Sequence, residues 1–130
     1  MRVTRPAVAA PFLLSVLLGG CFLAAAGAGA GTGIYFTSRG AESLVELPMD
    51  GLVARTQAAF TEFGVRPVGE NIDHDGDTRE FRGTKEDLDV TVKLERKNSG
   101  TTQVEVTARR NLVEWDKGFA QTLLARIAAP

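Results

Sequence analysis

Cysteine and histidine, the two residue types best suited to nucleophilic and metal chemistry, each occur once in this 130-residue chain, at Cys21 and His74. A lone thiol can act as a nucleophile or take a covalent modification, but it forms no internal disulfide and no multi-cysteine metal site. A lone histidine supplies one ligand, too few for zinc, and no G-x-S-x-G offers it a serine partner. His74 sits in "NIDHDG", residues 71–76, which matches the first six positions of an EF-hand loop. The twelfth position, where that loop needs a bidentate glutamate, is Arg82. Asp75-Gly76 is instead a strong hairpin signal, so the segment reads as a turn between strands. The glycines of "GAGAGTG", residues 27–33, miss the dinucleotide spacing, because the third glycine would fall on Thr32 or Ile34. No lysine is present there for a phosphate loop. The residues therefore predict no catalytic, cofactor-binding or metal-binding set. A small carboxylate-based enzyme is the alternative, since acids are plentiful although no pair stands out.

The position of Cys21 is more informative than its chemistry. Arg2 and Arg5 precede an apolar stretch at 7–18, then Gly19, Gly20 and Cys21, the order of a secretory signal. Leu18-Gly19-Gly20-Cys21 resembles the bacterial lipobox. The resemblance implies cleavage between Gly20 and Cys21, a diacylglyceryl group on the Cys21 thiol, and a fatty acyl chain such as palmitate on the new amino terminus. Each buried methylene contributes about 0.8 kcal/mol, so several acyl chains anchor stably. Phe22 rather than aspartate follows, which implies the periplasmic face of the outer membrane.

A rival reading uses the same residues. No charge occurs from Pro6 to Ser38, longer than the roughly 20 residues a membrane span requires, so a single-span inner-membrane protein is the alternative. The second half of that stretch is Gly and Ala, and each glycine costs about 1 kcal/mol in a helix interior. A cleaved signal (1–20) and a Gly/Ala-rich tether (21–41) account better for both halves. The tract works either as a flexible leash or as a short membrane-hugging segment with residues 34–36 at the interface.

Residues 42–130 form the predicted domain. Three arginines are the only charges before Glu42, so the domain carries all 16 acids against 12 bases. That mildly acidic balance lacks the clustered basic face of a nucleic-acid binder. Arg96/Lys97 and Arg109/Arg110 form two small basic clusters, expected at opposite ends of one hairpin. The spacing predicts a short strand at 42–47, a helix capped by Asp50 and stopped by Gly64, and strands at 65–72 and 78–82. Leu88, Val90, Val92 and Leu94 alternate with polar residues, as do Val104, Val106 and Ala108 after a "KNSG" turn. A last helix over 113–128 is predicted to bury Trp115, Phe119, Leu123 and Ile127 on one stripe. The order β-α-β-β-β-β-α predicts a two-layer α+β sandwich, with both helices on one face of an antiparallel sheet and a polar face opposite.

Lipobox, Gly/Ala tract with an aromatic after it, and this element order together resemble small bacterial lipoproteins catalogued as domain of unknown function 3568. The resemblance spans roughly residues 13–127. It implies no activity and carries over only Cys21. The expected role is a lipid-anchored, non-enzymatic binding or structural domain of the envelope, with the membrane and an envelope protein as partners.

Overall fold

The computed structural model describes residues 33–129. It is an α+β sandwich of six antiparallel strands and two helices. The strands are β1 (Tyr35–Phe36), β2 (Gly40–Val45), β3 (Arg66–Asp73), β4 (Thr78–Lys85), β5 (Leu88–Asn98) and β6 (Thr101–Arg109). The helices are α1 (Met49–Phe63) and α2 (Lys117–Ala128). Across the sheet the order is β1-β2-β6-β5-β4-β3. The chain therefore leaves β2, crosses the sheet through α1 to the far edge, and returns strand by strand until β6 lies beside β2.

Alternation decides which face is covered. Leu88, Val90, Val92 and Leu94 of β5 are buried, and so are Thr102, Val104, Val106 and Ala108 of β6. Leu52 and Phe60 of α1 and Leu123, Leu124 and Ile127 of α2 pack on that side. Register places Glu42, Glu105, Lys93, Glu80 and Asn71 in one row across the opposite face, which is polar as the sequence pattern predicts.

Local chemistry sets the ends of the elements. Gly64 stops α1 in the left-handed conformation (φ 68°), donating its N–H to the carbonyls of Phe60 and Thr61. Thr56, buried in α1, is satisfied by donating to the Leu52 carbonyl at 2.8 Å. Arg55 donates to the last carbonyls of α2, with Ala129 O at 2.6 Å and Ala128 O at 3.3 Å. A cation there meets the negative end of the helix dipole.

Four expectations are corrected. The sheet gains β1, where Tyr35 faces Glu42 and Phe36 faces Ala41, and β2 begins at Gly40 rather than 42. Thr37 closes this hairpin by accepting from the N–H groups of Arg39 (3.3 Å) and Gly40 (3.0 Å). Pro48, not Asp50, is the N-cap of α1, and Asp50 lies in the first turn. The last helix starts at Lys117, because Asp116 takes the cap and accepts from Phe119 N at 2.9 Å. Trp115 therefore lies outside the helix, half-buried, bridged to Arg109 of β6 and covered by the Arg39 guanidinium 5.4 Å from its ring.

Candidate functional site

A groove of about 360 Å³ opens on the polar face where β1, β2, β5 and β6 meet. Tyr35 (59 % exposed) and Leu44 give it apolar walls, and Glu42, Lys97, Asn98, Thr101 and Gln103 give it polar groups. Partners hold several of these groups in place. Gln103 Nε2 donates to Glu42 Oε2 at 3.3 Å, and Lys97 Nζ donates to Glu95 Oε1 at 2.7 Å. Asn98 Oδ1 accepts from Gly100 N at 2.9 Å, which fixes the turn beside the groove. A carboxylate, an ammonium, two amides and a phenol around an apolar floor can hydrogen-bond and orient a ligand, the composition of a recognition surface.

A second cavity of about 420 Å³ lies between α1 and the β3 edge, against the buried rings of Phe60 and Phe81, with Glu70 and Arg82 at its mouth. Its charged groups are paired: Arg82 lies 3.9 Å from Glu80. Arg79 pairs with Glu70 and lies over the Phe81 ring.

The Lys97 hydrogen bond holds the Glu95 carboxyl below its ordinary value of 4.5, with the charges of Lys97, Lys93 and His74 acting the same way against desolvation. A lowered carboxyl pKa means this contribution is complete above the unfolded value and is lost as the pH falls through the folded one. Both side chains are about two-fifths exposed, so screening keeps it to a few tenths of a kcal/mol. Lys97→Met is expected to move the Glu95 titration upward in carboxyl carbon NMR. Its small stability loss at pH 7 should vanish near pH 2.

Cys21 and Gly20 lie outside the described residues. The EF-hand-like segment is the β3–β4 hairpin, with His74, Asp75 and Gly76 all at positive φ (53°, 57° and 91°). Asn71 donates to Asp73 at 3.1 Å, and among the described residues no group of three or more His, Cys, Asp or Glu is placed to hold a metal. The basic clusters do lie at opposite ends of the β5–β6 hairpin. Each meets acids: Arg96 with Asp77 (3.4 Å), and Arg110 with Asp87 (2.9 Å), which foremost raises the Arg110 pKa. Among the described residues no helix is long and apolar enough to cross a membrane.

Sequence reasoning did not find the groove. Its walls come from residues 35–44 and 97–103, brought together only by the β2–β6 pairing, and no local motif marks that closure. No protein-family model matches the chain, and no curated protein matches it.

Proposed function

We propose that this chain is a lipid-anchored lipoprotein of the bacterial cell envelope, cleaved between Gly20 and Cys21, whose α+β domain is a non-enzymatic binding module. The observation that carries the reading is Leu18-Gly19-Gly20-Cys21 at the end of an uncharged apolar stretch that follows two arginines. Phe22 in place of aspartate favours the outer membrane, with the domain in the periplasm. The resemblance to small lipoproteins of unknown function supports the same setting. The groove beside β1 supports binding rather than catalysis, because its acid and the neighbouring one, Glu42 and Glu95, are engaged by Gln103 and Lys97.

Cys21→Ser tests the anchor. In cells fed labelled palmitate, the wild-type protein should carry label and sediment with membranes. The variant should lose the label and keep the uncleaved mass. A wild-type protein without label, attached to membranes equally well with serine at position 21, would overturn the reading and favour the single-span alternative.

A further inference from the structure

The segment that joins β6 to α2 holds two aliphatic side chains out in water. Leu112 and Val113 are each 86 % exposed, the highest values among the large apolar side chains described. A link between a strand and a helix does not need adjacent aliphatics at its tip, and exposing them is unfavourable.

The loop around them is tightly fastened. Asn111 Oδ1 accepts from both Val113 N (3.0 Å) and Glu114 N (2.9 Å). Arg110 N donates to the Glu114 carbonyl at 2.9 Å, and Asp116 N donates to the Ala108 carbonyl at 2.8 Å. The Arg110 guanidinium contacts Asp87 (2.9 Å), Asp116 (3.3 Å) and Glu114 (3.4 Å). Trp115, bridged to β6 beneath Arg39, closes the base. An apolar tip pre-formed in this way loses little conformational freedom on binding.

Its place in the fold says what can reach it. The tip follows Arg109, at the pole that also holds the β1–β2 and β4–β5 turns. The chain enters toward the other pole: running back from Tyr35, opposite Glu42, it passes Gly33, whose carbonyl accepts from Ser43 Oγ at 3.3 Å. Measured along β6, the tip stands about 20 Å beyond the place where the chain enters. An anchor at Cys21 would therefore join the domain at the pole opposite the tip, which leaves the tip free to meet a partner away from the point of attachment. Arg110 is outnumbered three to one by the carboxylates around it, and seating the tip in a bilayer would strip water from them.

We propose that Leu112 and Val113 form a docking knob for an apolar pocket, basic at its rim beside Asp87 and Glu114, on another protein of the envelope. This rests on the anchored reading. The test places a photo-crosslinking phenylalanine analogue at position 112 of the full-length protein in its native cells, with position 99 in the β5–β6 turn as the opposite-pole control. The expected result is a discrete protein adduct from 112 and none from 99. Val113→Asp should lower that adduct at least tenfold, and Asn111→Ala, which frees the loop while keeping both aliphatics, should lower it several-fold. Unchanged circular-dichroism melts of both variants show that the fold is intact. Adducts to lipid, to a second copy of this chain, from both positions alike, or none at all would each overturn the knob. Palmitate labelling of the same cells reads the anchor separately: label without adduct overturns the knob alone, and adduct without label overturns the anchor alone.

Discussion

Gly40→Ala is expected to destabilise the domain by about 3 kcal/mol or more, at or beyond the upper end of ordinary overpacking. A Cβ at this position would lie 2.0 Å from the Val106 carbonyl oxygen, 3.0 Å from its carbon and 3.1 Å from the Thr107 Cα. All three are backbone atoms of β6, so no side chain can swing aside. Relief requires β2 to lift away from β6 at the position where the β1–β2 hairpin joins the sheet. Gly51→Ala gives the internal control. Nothing lies within 4 Å of a Cβ there, and the residue is in the first turns of α1, so alanine should stabilise by up to about 1 kcal/mol. Urea titrations of both variants check the pair. Equal midpoints would show that the contact at Gly40 does not govern strand pairing.

Leu123→Ala is expected to cost about 2–5 kcal/mol, a large part of the roughly 5–15 kcal/mol that holds a domain of this size. Leu123 is fully buried on α2, where that helix lies over β2 and β6. Truncation removes its transfer free energy and leaves a cavity between helix and sheet that rigid strands cannot collapse into. Leu123→Met keeps most of the volume and should stay within about 1.5 kcal/mol of wild type. A shift of the urea midpoint at constant slope is the expected signature. A small loss in the alanine variant would mean that α2 is not docked as described.

The sequence disclosed the fold where periodicity and capping agreed. The β5–β6 hairpin was legible because seven alternating apolar positions allow only one buried face, and α1 because its apolar stripe ends at Gly64. Trp115 was misread for a physical reason. Its four-residue spacing to Phe119, Leu123 and Ile127 imitates a helical stripe, while Asp116 provides a cap that starts the helix after it. β1 was missed because two residues carry no period. Glycine at position 40 looked like tether, yet it is the residue that lets two strands close. The groove and the tip depend on contacts between distant segments, and no window of sequence contains them.

The sheet order also sets a sequence of assembly. The hairpins β3–β4, β4–β5 and β5–β6 join neighbours in the chain, whereas β2 waits for a partner about 60 residues away. Local closures are fast and distant ones slow. A chain emerging amino terminus first would therefore hold the local β1–β2 hairpin without its β6 neighbour until β6 has followed, with the bare edge of β2 open to a stray strand meanwhile. The last seam to close in this domain is the one next to the proposed anchor. If that end is fastened to a membrane as proposed, the attachment would limit what β2 can meet before its own partner arrives.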